Sequence, residues 1–244
     1  MVEKVTAIHL DAIDSTNTYA KENSAQFNPD DITRISCDEQ FKGRGRFNRV
    51  WISPKGKNIY LTYFFTYEKN PMEINNLAQI LCLSIAKLLS REGLDPKIKW
   101  PNDILINQKK ISGILCETVD LQDKFGVVLG TGINVNMEED LLKEIDQPAT
   151  SLQVETGKSF DKHALMNSLD EFFLKDLALY KKEGFKPFYM SYDALLTHKG
   201  MPISIKQGSK TLSGTLHSLN PDGRLNLLLE NGEIQTITSG EIKK

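Results

Sequence analysis

Residues 41–58 read FKGRGRFNRVWISPKGKN and run directly into the apolar stretch IYLTYFF. Gly43 and Gly45 admit backbone angles closed to other residues. Consecutive N–H groups can therefore converge on an anion while Arg44 and Arg46 project charge toward it. The GxxxxGK[ST] pattern of a nucleotide-binding P-loop is absent. Taken alone, GRGR suits a nucleic-acid clamp, a phosphate cradle or a solvated connection between strands. Three other stretches hold residues capable of chemistry. DSTN, residues 14–17, sets short hydrogen-bonding side chains at a strand-to-helix junction, where the positive helix end favours a polar or anionic small molecule; simple capping would explain it equally. KWPNDILINQKKISGILCE, residues 99–117, joins a Trp-Pro kink, the Asn102–Asp103 pair and the Lys109–Lys110 pair to a strand containing Gly113. A buried Trp with a charged hairpin tip is the plainer reading. GTGINVN, residues 130–136, is a strand whose Gly130 and Gly132 mark close backbone approach or a bend.

The whole chain sets limits on these readings. It has 244 residues, 40% hydrophobic and 25% charged, and a formal net charge of −2. A general nucleic-acid binder would carry a dominant basic balance, so the cationic density around Arg44 is local and suits a small anion better than a long polyanion. Cys37, Cys82 and Cys116 form no CxxC, which excludes a full disulfide framework and a zinc signature and fits a reducing cytoplasm. His9, His163, His198 and His217 have no Cys or carboxylate at ligand spacing and read as structural or surface residues. The N-terminus lacks the apolar core of a signal peptide, and no apolar run approaches the ~20 residues that span a bilayer. A cytoplasmic chain with no membrane segment is the expectation.

The elements that must position these residues follow from periodicity. Val5 to Ile13 reads as a strand, followed by a helix capped by Asp14 or Ser15 and running to about Gln26. Strands are expected at Ile32 to Ser36 and Ile59 to Thr66. A long helix begins at Pro71, with Leu77, Leu81, Ile85 and Leu88 at helical spacing, and ends by Gly93. Two β segments flank the turn NQKK, and the strand FGVVLGTGINVN follows. A second long helix covers about Lys162 to Lys182. Beyond Lys199 the pattern becomes short alternating runs, with turns at Gln207-Gly208, Pro221-Asp222-Gly223 and Asn231-Gly232, as in a small β-barrel. The predicted division is 1–197 for the ligand-binding domain and 198–244 for the barrel.

In this order and spacing, DSTN, Gln40 followed by GRGR, Trp51 with SPKGKNIYLT, KWPND, KKISGILCE, GTGINVN and the terminal SGEI resemble the biotin protein ligases over essentially the whole chain. The resemblance implies an α/β (α+β) fold: a mixed sheet flanked by helices, like class II aminoacyl-tRNA synthetase catalytic domains, plus a small C-terminal SH3-like β-barrel. It implies two substrates, biotin and ATP, with Mg²⁺. Biotin's carboxylate attacks the α-phosphate to give biotinyl-5′-AMP, and a specific lysine of a biotin carboxyl carrier domain then takes the biotinyl group. Such chemistry needs cations where two anions meet.

On the same resemblance, Ser15, Thr16, Asn17 and Gln40 would bind the biotin ureido group. Arg44, Gly45 and Arg46 would fold over biotin and the adenylate, Lys110 would contact the carboxylate and α-phosphate, and Gly113 would border biotin. Arg49, Trp51, Asn102, Asp103 and Asn134 complete the ATP-binding set, Trp51 and Asn134 near adenine and the Asn102–Asp103 pair near the phosphates. The catalytic set is Lys110, Arg44, Arg46 and Asp103; Asp103 is left with two roles, taking a proton from the acceptor lysine or holding Mg²⁺. Lys109 is expected to be solvated. The resembled loop usually reads GRGRxGR, and Asn48 stands at its last glycine; asparagine tolerates the left-handed angles a turn there needs. The loop is expected to be a lid, mobile when empty because Arg44, Arg46 and Arg49 repel one another, and covered by Phe47 or Trp51 when filled. The chain begins too close to DSTN to include the DNA-binding domain that some relatives carry, so no repressor role is expected; a monomer or homodimer fits. A lipoate or octanoyl transferase of the same fold group, a non-catalytic biotin-binding module and a nucleic-acid-binding protein are the alternatives.

Overall fold

The apolar run after the basic loop forms the middle of a sheet. A computed structural model describes residues 4–243. In chain order the elements are β1 (Val5–Ile13), α1 (Thr16–Glu22), β2 (Ile32–Gln40), β3 (Ile59–Glu68), α2 (Pro71–Arg91), β4 (Lys97–Lys99), β5 (Asp103–Ile106), β6 (Lys109–Leu121) and β7 (Lys124–Ile133). Then come α3 (Glu139–Leu142), α4 (Leu152–Thr156), α5 (Lys162–Glu183), α6 (Tyr189–Leu195), β8 (Pro202–Gln207), β9 (Lys210–Leu219), β10 (Leu225–Leu228), β11 (Ile234–Ile237) and β12 (Glu241–Lys243). The first seven strands make one sheet in the order β1-β2-β3-β7-β6-β5-β4. Only β1 and β2 pair in parallel; every other neighbouring pair is antiparallel, so the sheet is mixed.

Alternation along the central strands separates two faces. Leu61, Tyr63 and Phe65 of β3 and Val127 and Leu129 of β7 meet α2 and α5 in the main core. Thr62, Phe64 and Val128 point the other way, where Phe64 and Val128 pack with Ala20 of α1 and Ile35 of β2. The N-terminus of α5 is capped by Asp161, whose carboxylate accepts from the N–H of His163 at 2.8 Å. The helix expected from Asp14 or Ser15 to Gln26 is shorter: α1 stops at Glu22, a 3₁₀ turn covers Ser24–Gln26, and neither side chain caps it. Instead the Thr16 N–H donates to Gln40 Oε1 at 2.9 Å, because β2 extends to Gln40 and brings that amide to the free helix end.

The hairpin joining β5 and β6 turns on Asn107 and Gln108, both at positive φ (50° and 64°), as a two-residue turn matched to strand twist requires. Its register slips so that Ile104 faces Ser112 while Leu105 faces Lys110, leaving Ile111 unpaired as a bulge. Period-two alternation would put Lys110 and Gly113 on opposite faces. The extra residue returns them to the same face, and the Lys110 chain lies across Gly113.

The last five strands form a separate antiparallel sheet, β11-β10-β9-β8-β12. Its β9–β10 turn docks on α2: Asn76 donates to Asp222 O at 2.9 Å, Gln79 to Gly223 O at 2.8 Å, and the Trp100 indole to Gly223 O at 3.2 Å. A Cβ at Gly223, whose φ is +84°, would stand 2.2 Å from the Asn76 amide, so this turn requires glycine. One apolar cluster runs from α2 and α5 into Leu216, Leu219 and Leu225 of the small sheet. Among the described residues, no helix is long and apolar enough to cross a membrane.

Candidate active site

The face of the sheet opposite α2 and α5 is nearly bare where β6 and β7 pair. Gly113 faces Gly132 and Leu115 faces Gly130 across the ladder. A Cβ on Gly132 would lie 2.3 Å from the Trp51 indole, and one on Gly130 would lie 2.0 Å from Asn17 Oδ1. These glycines let α1 and the basic loop sit almost on the strand backbone, the close approach expected of Gly130 and Gly132.

From the first turn of α1 and the residue before it come Ser15, Thr16 and Asn17, all buried. Thr62 Oγ1 is 2.8 Å from Thr16 Oγ1 and 2.7 Å from Asn17 Oδ1. The Asn17 Nδ2 group donates to Leu115 O at 3.2 Å and to Glu117 Oε2 at 2.9 Å. Gln40, already bonded to Thr16, donates through Nε2 to Ser53 Oγ at 3.0 Å. Ser15, Thr16 and Asn17 thus line a polar wall rather than cap a helix, while Asp14 pairs with Lys42 at the surface.

The basic loop is a narrow hairpin. Arg44 and Val50 form a bridge, the Gly45 N–H donates to Arg49 O, and the Trp51 N–H donates to Gly43 O, both at 2.8 Å. Phe47 and Asn48 both have φ of 57°; asparagine accepts at this turn the left-handed angle that a glycine would take. The arginines diverge toward separate acceptors: Arg44 to Glu117 Oε2 at 3.2 Å, Arg46 to Asn102 Oδ1 at 3.1 Å, and Arg49 to Glu241 Oε2 of β12 at 2.7 Å. The mutual repulsion expected to loosen the loop is therefore met by a partner for each cation. Burial holds the Arg46 guanidinium below its ordinary value, against the raising charges of Asp103 and Glu241. Phe47 is 61% exposed at the rim of the cleft, with the Arg46 guanidinium 5.0 Å from its ring, and Trp51 is the aromatic turned inward.

Lys110 forms an ion pair with Asp103 at 2.7 Å, its side chain 16% and that of Asp103 21% exposed, and its Nζ stands 5.4 Å from the Trp51 ring. Lys109 is exposed, as expected. Asn102 is fixed by its backbone and side chain to Ile114, its Nδ2 donating to Ile114 O at 2.6 Å, so the oxygen facing Arg46 is preset.

These groups surround one solvent-open cleft of about 780 Å³, which brings together Ser15, Thr16, Asn17, Gln40, Arg44, Gly45, Arg46, Arg49, Trp51, Asn102, Asp103, Lys110 and Gly113. Asn134 is not among them. It is buried, donates to Thr150 O at 2.9 Å, and borders an adjoining cavity beyond Trp51 that Ile145, Gln147 and Ala149 also line. Sequence reasoning passed over Glu117, Gln147 and Glu241. Glu117 had a signal: two steps of two along the strand from Gly113 put it on the same face. Gln147 and Glu241 had none, because they reach the cleft only through the folding of α3's loop and the terminal sheet.

Residues 10–134 match the biotin/lipoate A/B protein ligase family, and residues 198–244 match the biotin protein ligase C-terminal domain. The bifunctional ligase/repressor BirA of Escherichia coli is 32% identical over 96% of this chain and 72% of its own length. The biotin–[acetyl-CoA-carboxylase] ligase of Paracoccus denitrificans is 29% identical over 85% and 88%. The structure of the Aquifex aeolicus biotin protein ligase in complex with biotin and ATP superposes with a TM-score of 0.81 at 31% identity, covering 98% of this chain and 97% of that one. Sequence, fold and the cleft agree, and the chain belongs to the biotin/lipoate A/B protein ligase family, within its biotin protein ligases.

Proposed function

We propose that this chain is an ATP-dependent biotin protein ligase that makes biotinyl-5′-AMP and passes the biotinyl group to one lysine of a biotin carboxyl carrier domain. The observation that carries the reading is the convergence of Lys110, Arg44 and Arg46 on one cleft beside the buried polar wall of Ser15, Thr16, Asn17 and Gln40. The wall suits the ureido ring, which offers two N–H donors and a carbonyl. The cations suit the other end of the molecule. In the first step a biotin carboxylate oxygen bonds to the α-phosphorus as the bond to pyrophosphate breaks, and Lys110 with Arg46 offsets the charge that otherwise keeps the two anions apart. In the second step the lysine amine bonds to the acyl carbon, the bond to AMP breaks, and the amine gives up a proton.

Asp103 stands 2.7 Å from Lys110, and that closeness supports a reading in which it holds Lys110 and takes the proton of the acceptor amine. Among the described residues, no group of three or more His, Cys, Asp or Glu side chains is arranged to hold a metal. Mg²⁺ keeps several waters and binds through one or two carboxylates plus nucleotide phosphates, so Asp103, which lines the cleft, would be its protein ligand. Bound Mg²⁺ would neutralise phosphate charge. Trp51 lines both the cleft and the Asn134 cavity, and on this reading it packs against adenine there. We divide the chain into a catalytic domain, 1–197, and a C-terminal domain, 198–244, supported by the change from the mixed sheet to the separate five-stranded one. ATP and carrier domains meet in the cytoplasm, where we place the reaction.

The test mixes the purified chain with ATP, Mg²⁺ and labelled biotin, then adds a carrier domain. Biotin-dependent pyrophosphate release, a protein-retained adenylate and label on the carrier lysine are expected. No pyrophosphate, or release independent of biotin, overturns the proposal.

A further inference from the structure

Glu117 gathers three donors from two different elements at the blind side of the cleft. Its Oε2 accepts from Asn17 Nδ2 at 2.9 Å and from Arg44 Nη2 at 3.2 Å, while Oε1 accepts from Lys21 Nζ at 2.9 Å. Its side chain is 22% exposed, that of Arg44 29% and that of Lys21 31%, so these contacts are partly screened rather than solvated. Burial pushes the Glu117 carboxyl up, but the hydrogen bonds from Asn17 and Lys21 and the charge of Arg44 outweigh it and hold the group below its usual range. It is an ionised acceptor.

We propose that Glu117 is a positioning residue that sets the biotin site through two neighbours at once: it fixes which way the Asn17 amide faces and anchors the root of the basic loop through Arg44. A carboxylate can only accept hydrogen bonds, so the Asn17 NH₂ must turn toward Glu117 and Leu115 O, and its Oδ1 must turn toward Thr62 and the glycine floor. Leu115 O asks for the same edge only at the longer 3.2 Å; with the shorter bond to Glu117 lost, the amide is held less firmly, and where it turns over, an acceptor for a ureido N–H becomes a donor against it. Arg44 is one rung of the Arg44–Val50 bridge, so holding its guanidinium also holds the backbone of the loop where it leaves the cleft. The loop is then fixed at its root by Arg44, while its tip is held separately, Arg46 to Asn102 and Arg49 to Glu241. Lys21 balances charge on Glu117 but touches neither the floor nor the loop.

This assignment rests on the biotin-activating reading, so wild type must first show biotin-dependent pyrophosphate release; its failure there would overturn that reading instead. Glu117→Gln keeps the shape and places an amide NH₂ against one of three donors. The expected result is a rise of at least about ten-fold in KM for biotin, with kcat at saturating biotin and KM for ATP within about three-fold, since Lys110 and Arg46, which offset charge at the α-phosphate, hold to Asp103 and Asn102 and not to Glu117. Glu117→Asp, which stays an acceptor-only group, should recover part of the loss. Lys21→Met should leave KM for biotin within about two-fold. In an Arg44→Met background the further effect of Glu117→Gln should shrink, because one of the two routes is already gone. A folded Glu117→Gln protein, judged by its circular dichroism and melting curve, with unchanged KM for biotin overturns the proposal. So does a kcat loss without a KM change, or a Lys21→Met effect as large as that of Glu117→Gln.

Discussion

Replacing Gly130 by alanine tests the site at the point where its tolerance is smallest. The added methyl would stand 2.0 Å from Asn17 Oδ1, whereas ordinary contact begins at 3.4 Å, so Asn17 must retreat by about 1.4 Å. It has nowhere to go. Its amide is tied to Thr62 at 2.7 Å, to Glu117 at 2.9 Å and to Leu115 O at 3.2 Å, and a displacement of that size breaks such bonds. Overpacking of this kind costs about 1–3 kcal/mol, and a buried amide left without partners costs a similar amount. A net loss of about 2–3 kcal/mol is expected, because the strand can yield somewhat. For a chain of this size that lowers Tm by about 5–10 °C. Since Asn17 lines the cleft, KM for biotin should also rise about ten-fold or more, equivalent to about 1.4 kcal/mol of binding. Differential scanning calorimetry and biotin-dependent pyrophosphate release measure the two effects separately. A Gly130→Ala protein with Tm within about 2 °C of wild type and an unchanged KM would refute the claim that Asn17 is rigidly held on a glycine floor.

Other perturbations separate the remaining parts of the site. Lys110→Met should slow adenylate formation by a factor on the order of 10²–10³ while the protein stays folded, because the chain lies across the cleft floor and not in the core; near-normal pyrophosphate release by a folded variant would rule out its role. Arg46→Gly should still make adenylate but lose it about ten-fold faster, since the contact between the loop tip and Asn102 goes with it; the readouts are adenylate dissociation and the labelling of bystander lysines, and unchanged retention would remove the loop from this account. Residues 1–197 produced alone should self-associate in size-exclusion chromatography, because the surface of α2 around Asn76 and Gln79 and the adjoining apolar cluster lose their cover. A monodisperse fragment that biotinylates carrier at the full rate would show that the small sheet is dispensable.

How far the sequence reaches can be judged residue by residue. Period-two and helical spacing located β3, α2 and α5 closely, because each buries a continuous apolar face and that burial leaves a regular imprint on neighbouring positions; β1, at the sheet edge, was located too although its apolar residues are at most half-buried. The motif residues from Ser15 to Gly113 were legible because their types are chemically unusual in combination, and all of them border the cleft. Capping at Asp14 or Ser15 was misjudged for a physical reason: the first free helix N–H takes the Gln40 amide, which arrives from β2, and local sequence cannot report a partner 24 positions away. Asn134 shares a motif with Gly130 and Gly132, yet it turns to Thr150 and lies behind Trp51, since β7 ends at Ile133 and the chain leaves the sheet there. The sequence by itself determined which chemistry this protein can do, because cations, short polar side chains and glycines are properties of the chain. Only the tertiary structure decided how those groups are held. The bulge at Ile111 brings Lys110 onto the face of Gly113, the ladder of β6 and β7 sets glycine against glycine, and Glu117 and Glu241 meet Arg44 and Arg49 across 73 and 192 positions of sequence. Such contacts depend on register and on the packing of distant elements, neither of which is written in the residues nearby.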